Sequence, residues 1–170
     1  MVLPAVTIEL GTTPSAHQGF EAFYRANADR VYRALAVTLR NDDLAAEAVA
    51  EAMARACARW PTVSRLENPA GWVFRVGLNW ATSWWRKVRR ERPPAAEADH
   101  PRTRPPENSI VARSALAGLP ETQRAVITCR VLLELSTAET AAALRISEGT
   151  VKSRLSRGLA ALRHELNSED

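Results

Sequence analysis

Residues 92–108 read RPPAAEADHPRTRPPEN, with five prolines and no large apolar residue. Proline lacks the backbone N–H and its ring clashes with the preceding turn, so this stretch cannot continue a helix. It also lacks the apolar surface that would offset the entropy of ordering it. The 170-residue chain is therefore cut in two. The pattern predicts a loose tail over 1–18, a helical unit over 19–91, a Pro-rich linker over 92–108 and a second helical unit over 109–170.

Both flanking units read as helix. Alternating Val/Ile/Thr runs and Asn-Gly turns are absent, while alanine, leucine and arginine are abundant. Over 19–40 the residues Phe20, Phe23, Tyr24, Val31, Leu35 and Leu39 recur on one stripe. Asn41, Asp42 and Asp43 break this helix and recap a second one, which places Leu44, Ala48, Val49, Ala52, Met53 and Ala56 inward. Pro61 closes it. Pro69 suits the first position of a third helix running to about Arg90. Beyond the linker, Ser109 is the expected cap of a fourth helix and Pro120 the start of a fifth. The fold class expected is all-α: two small helical domains joined by the Pro-rich linker, the second ending in a helix-turn-helix.

That last motif is the clearest local signal. In LSTAETAAALRISEGTVKSRLSRGLAALRHEL, Ser136 and Glu139 form a capping box, and Ser147 opens another helix after a short interruption at Arg145 and Ile146. The first helix carries small residues (Ala138, Ala141, Ala142) with Leu144. The second puts Val151, Leu155, Leu159 and Leu162 on one stripe, leaving a polar face of Thr150, Lys152, Ser153, Arg154, Ser156 and Arg157. Two helices at a tight turn, the second cationic near its start, fit a helix that enters the DNA major groove. Lys152 and Arg157 have the reach for guanine O6 and N7, and Ser153 and Ser156 can bond base edges or phosphates. Arg154 and the backbone near Ser147 and Thr150 suit phosphates.

Charge points the same way. The net charge is only +4, but residues 61–92 hold seven basic against two acidic side chains, and 145–163 hold five against one. Residues 1–60 are near balance, with six basic and seven acidic. Two separate basic patches imply two contacts with a polyanion. In the first patch Arg75, Asn79, Ser83, Arg86 and Arg90 share one helical face, with Lys87 beside them and Trp80, Trp84 and Trp85 flanking. Cations, indoles and an amide together are what single-stranded nucleic acid requires. The alanine-rich second helix shows Glu47 and Glu51 outward, either as plain scaffold or as a docking face for a protein.

Other function classes find little support. Cys57 and Cys129 are isolated in apolar helical contexts and read as core residues, not a disulfide. The three histidines lack metal-ligand spacing, so neither a metal nor a cofactor is expected. No nucleophile–base set, phosphate loop or carboxylate pair marks a catalytic site, and no small-molecule substrate is implied. Neither a signal peptide nor a membrane span is legible, which makes the cytoplasm the expected location.

Taken together, these segments resemble an extracytoplasmic-function (ECF) RNA polymerase sigma factor of the minimal two-domain type. FEAFYRANADRVYRAL is similar to that family's opening helix, NDDLAAEAVAEAMARACARW to its core-polymerase-binding segment, and ENPAGWVFRVGLNWATSWWRKVRR to the segment that opens and reads the −10 element. ALAGLPETQRAVITCRVLLELSTAETAAALRISEGTVKSRLSRGLAALR is similar to its −35-binding domain. The resemblance implies core polymerase and promoter DNA as partners, duplex at −35 and single-stranded at −10, and the family often adds an anti-sigma factor. It assigns Asp43, Leu44, Glu47 and Glu51 to polymerase binding. It also sets Asn79 near a flipped −10 base, makes Ser64, Arg65, Leu66 and Glu67 the base-pocket loop, and gives the −35 element to Lys152, Ser153, Ser156 and Arg157. Three features depart from the family's habit: Ser83 stands where an acidic residue is usual, the polymerase-binding segment over Ala45 to Glu51 carries more alanine in place of an Asp followed by a Gln-Glu or similar pair, and Ser156 stands where a larger side chain is common. The competing reading is a conventional helix-turn-helix regulator, which would bind duplex DNA without polymerase, usually as a dimer on a palindrome.

Overall fold

The computed structural model describes residues 14–91 and 107–167, with side chains over 18–87 and 112–167. Among the described residues there are eight helices and no strand. They are α1 (Pro14–Leu39), α2 (Asp42–Ala58), α3 (Trp60–Val63), α4 (Pro69–Glu91), α5 (Glu107–Ala117), α6 (Glu121–Val131), α7 (Thr137–Leu144) and α8 (Glu148–Asn167). The all-α expectation holds. Helix α1 begins five residues before Gly19, and α5 begins at Glu107, two residues before the expected Ser109 cap. Pro61 lies inside the short α3. The tail over 1–13 and the linker over 92–106 fall outside the described residues.

Local chemistry sets the helix ends. Arg40 takes a left-handed conformation (φ 56°) and closes α1. Asn41 Oδ1 then accepts the Leu44 amide at 2.9 Å, while Asp42 and Asp43 in the first turn of α2 oppose the positive end of its dipole. Asn68 Oδ1 accepts the Gly71 amide at 3.0 Å and starts α4. The Ser136–Glu139 capping box forms as the sequence predicts: Glu139 N donates to Ser136 Oγ at 3.1 Å, and Ser136 N to Glu139 Oε2 at 2.6 Å. Arg145 (φ 55°) ends α7, and the Ile146 amide reaches back to the Ala141 carbonyl at 3.1 Å.

Helices α1, α2 and α4 pack around Val31, Leu35, Ala45, Ala48, Ala52, Val73, Phe74 and Ala81, all buried. Gly77 allows the closest approach. A β-carbon there would sit 2.8 Å from Leu35 Cδ1 and 3.2 Å from the Ala48 carbonyl oxygen.

The larger apolar cluster draws on both units. Cys129, Leu133, Leu135 and Ala143 join the cluster built on α1, α2 and α4. The separate cluster of the C-terminal unit has only Val126, Ala141 and Val151 fully inside. A unit of some sixty residues buries only about 60% of its unfolded surface on its own and is marginal. Packing against the larger neighbour supplies the rest. Within α7, Ala141 and Ala143 are buried and Ala138 and Ala142 exposed.

Burial pushes the Cys129 thiol up to about 12, so at neutral pH it stays protonated and unreactive. Iodoacetamide is expected to label the half-buried Cys57 in the native protein and Cys129 only after denaturation. Peptide mass spectrometry checks this, and prompt native labelling of Cys129 would contradict it.

Candidate nucleic-acid interface

Helix α8 starts on a network of hydroxyls. Ser147 Oγ accepts the Thr150 amide at 3.1 Å and lies 2.8 Å from Thr150 Oγ1, while Ser153 Oγ donates to the Thr150 carbonyl at 3.1 Å. These bonds fix the first turns and leave Ser153 with lone pairs for an outside donor. Val151 is fully buried, and Gly158 lets α8 lie close on α6, where a β-carbon would meet Ile127 Cδ1 at 2.7 Å. With that side inward, Ser147, Lys152, Ser156 and Arg157 are exposed, and Thr150, Ser153 and Arg154 are half-buried at the rim. No described carboxylate pairs with Lys152, Arg154 or Arg157, so three cations face solvent uncompensated. The seven residues expected to contact DNA are thus brought to one end and one face of α8.

The second basic surface lies along α4. Its buried side is Phe74, Gly77 and Ala81, and Asn79 stands opposite, exposed. Ser83, Arg86 and Lys87 are exposed and Arg75 half-buried. Arg90 lies in α4, but its side chain is outside the described residues. Ser64, Arg65, Leu66 and Glu67 are all exposed in the turn before Asn68, with Leu66 the one large apolar side chain presented there.

The tryptophans are placed differently from the expected flanking arrangement. Trp84 and Trp85, 39% and 46% exposed, line a cleft of about 500 Å³ together with Asn41, Asp43, Leu44, Ala46 and Glu47 at the start of α2. Trp84 also stacks on Trp80, with ring centroids 6.4 Å apart and planes 18° apart. Five residues of helix separate Trp84 from Asn79, a rotation of roughly 140° at about 3.6 residues per turn. The indoles therefore serve the α2 side and not the cationic stripe. Trp72, seven residues before Asn79 and half-buried, is the tryptophan that shares its side of α4 by register. The seven-residue spacing was visible in the sequence, but the apolar run around Trp72 marked it as core.

On α2, Asp43 and Glu47 are exposed and Leu44 is buried at the edge of the cleft. Glu51 is half-buried and pairs with Arg55 at 2.7 Å. Of the four residues assigned to polymerase binding, Asp43 and Glu47 are thus the ones presented outward, next to two indoles.

Glu139 links the helix-turn-helix to the N-terminal unit. Its carboxylate accepts the Ser136 amide and Asn68 Nδ2, the latter at 3.2 Å. The Ser136 backbone bond, offset in part by desolvation, holds its pKa below the usual value of 4.5. A depressed carboxylate pKa adds stability above the unfolded value that is lost as pH falls through the folded one. The melting temperature is expected to drop on acidification below about pH 4.5, with a smaller acid-side drop in Glu139→Gln. Identical acid limbs for the two proteins would contradict this.

Among the described residues no group of three His, Cys, Asp or Glu side chains could hold a metal ion, and no helix is long and apolar enough to cross a membrane.

Comparison with known proteins finds matches to the C-terminal unit and to most of the chain. Residues 110–162 match the family model "Sigma-70, region 4". The chain is 33% identical over 156 residues to the RNA polymerase sigma-E factor of Streptomyces coelicolor, covering 89% of this chain and 88% of the relative. It is 29% identical over 146 residues to the ECF RNA polymerase sigma factor SigM of Mycobacterium tuberculosis, covering 84% and 74%. Among solved structures, the sigma factor RpoE from Bartonella quintana, in co-crystals with the anti-sigma factor NepR, shares the fold at a TM-score of 0.74. That match has 23% identity and covers 90% of this chain and 99% of the other. The chain belongs to the extracytoplasmic-function (ECF) RNA polymerase sigma factors.

Proposed function

We propose that this sigma factor divides promoter recognition between its two units. The α7–turn–α8 motif of the C-terminal unit binds the duplex −35 element. There Lys152, Ser153, Ser156 and Arg157 read base edges, and Ser147, Thr150 and Arg154 hold phosphates. The N-terminal unit captures the melted −10 strand. Asn79 bonds the exposed edge of an unpaired base, the 64–67 loop surrounds it, and Arg75, Arg86, Lys87 and Arg90 neutralise the backbone, with Ser83 at the rim. Asp43 and Glu47, with Leu44 beneath and Glu51 a turn further on, dock core RNA polymerase. The protein acts in the cytoplasm alongside that enzyme, and the chemistry of transcription is the polymerase's own.

The observation that carries this reading is the pair of separate, outward-facing cationic surfaces in one chain. One lies at the start of a recognition helix capped by Ser147, and the other is centred on an exposed asparagine. A dimeric repressor has use for the first and none for the second. The Bartonella fold is one that an anti-sigma factor holds, so a partner of that class is a further expectation here.

Gel-shift with purified protein separates the two readings. A promoter duplex is expected to shift strongly only with core polymerase present. A specific shift by the protein alone, as a dimer on a palindrome, would favour the conventional regulator.

A further inference from the structure

Five basic side chains lie within residues 145–163, and a single acidic residue, Glu148, stands among them. It is the first residue of α8 and exposed, and its carboxylate makes no hydrogen bond or ion pair with a described residue. Lys152 follows four residues later, in the order and spacing at which a Glu–Lys pair favours a helix, yet the two do not join. Glu148, Lys152 and Ser156, each four apart and all exposed, form one ridge across the face assigned to the −35 element.

Position and charge together restrict what this carboxylate can meet. A docked helix-turn-helix sets the N-terminal residues of its second helix against base edges. In the major groove only the amino groups of cytosine and adenine offer a carboxylate a donor, while guanine O6 and thymine O4 are acceptors that repel it. Adenine also places its N7 acceptor beside the amino group, facing the second carboxylate oxygen. Cytosine has only C5–H there. The edge that suits a glutamate best is therefore cytosine's, and the other three are rejected by charge. The neighbouring hydroxyls are engaged locally: Ser147 Oγ meets the Thr150 amide and hydroxyl, and Ser153 Oγ donates to the Thr150 carbonyl. Lys152, one turn along the ridge, lies about 5–6 Å from Glu148, which is one or two base-pair steps of about 3.4 Å. Its ammonium suits guanine O6 and N7.

We propose that Glu148 reads a cytosine of the −35 element through its 4-amino group, beside a guanine read by Lys152. This rests on the assignment of α8 to that element. A glutamate at a helix start also suits the helix dipole, and that role alone would treat all bases alike.

The test compares Glu148→Gln and Glu148→Ala with the unmodified protein, each assembled with core polymerase. Holoenzyme is titrated on a promoter mapped from the unmodified protein's own 5′ ends, and on its single-base −35 variants. Circular dichroism checks that both variants fold, as expected for an exposed side chain without partners. The unmodified protein is expected to bind at least about tenfold more weakly once the cytosine is replaced. Glutamine supplies one acceptor and one donor, matching adenine N6 and N7, so Glu148→Gln is expected to move the preference at that one position to adenine. Glu148→Ala is expected to accept all four bases there within about twofold. A gain or loss shared equally by every sequence would make Glu148 a phosphate-repelling or dipole residue and overturn the proposal. Arg157→Ala, titrated beside them, separates this proposal from the reading beneath it. If Arg157→Ala relaxes a base preference and the Glu148 variants change none, the proposal alone is overturned. If none of the three changes any preference, the assignment of α8 falls with it.

Discussion

Asn79→Ala is expected to cut promoter opening by about tenfold or more while leaving core polymerase binding within about twofold, since an unmade hydrogen bond to a base edge costs about 1–3 kcal/mol. The separation of effects follows from where Asn79 stands. It is exposed on α4, opposite the Phe74–Gly77–Ala81 contact, and away from the cleft that Asp43 and Glu47 line with Trp84 and Trp85. Alanine is also the better helix former, so the fold has no reason to weaken. Permanganate reactivity of promoter thymines reports melting directly. Normal reactivity would remove Asn79 from the −10 site, and a loss of polymerase binding would relocate it to the docking face.

Arg157→Ala is expected to cost about 1–3 kcal/mol at a cognate −35 sequence and to relax base preference at one position. Arg157 is exposed on α8 and pairs with no described carboxylate, so its removal opens no intramolecular bond. Arg154 gives the contrast. It is half-buried at the rim, and Arg154→Ala should weaken all sequences alike and lower the salt slope by about one. Binding titrations of holoenzyme on a set of single-base −35 variants, at two salt concentrations, distinguish these patterns. A uniform loss for Arg157→Ala would make it a phosphate contact.

What the sequence could disclose was whatever is local. Asn41 capping α2, the Ser136–Glu139 box and the break at Arg145 each depend on residues within a turn of one another, and each appears as expected. The face of α4 that carries Asn79 followed from helical spacing alone. The buried Thr38–Thr128 contact was invisible for the converse reason. Thr38 and Thr128 are 90 residues apart, and neither sits in a pattern that marks it as polar core. Arg124, read along the chain, is one more arginine on a helix, and only the fold shows that its partner is a carbonyl on α1. The linker pattern left one packing contact undisclosed. A proline-rich segment separates two units in sequence, but Leu133 and Leu135 still needed an apolar surface, and α1 and α4 supplied it. The tryptophans show the limit of adjacency arguments. Trp84 follows Ser83 directly, yet a step of about 100° along a helix turns it from the cationic stripe toward α2.

Whether this chain gives core polymerase its promoters by reading two elements at once is decided by mapping transcript 5′ ends. Core RNA polymerase transcribes fragmented genomic DNA with and without the purified protein, and the new ends are sequenced. The expected result is a set of start sites present only with the protein, preceded by two shared motifs about 25 base pairs apart at about 3.4 Å per step. Lys152→Ala and Arg157→Ala should blur the upstream motif alone, and Asn79→Ala the downstream one. No protein-dependent starts, or starts sharing only a single palindromic motif, would contradict it.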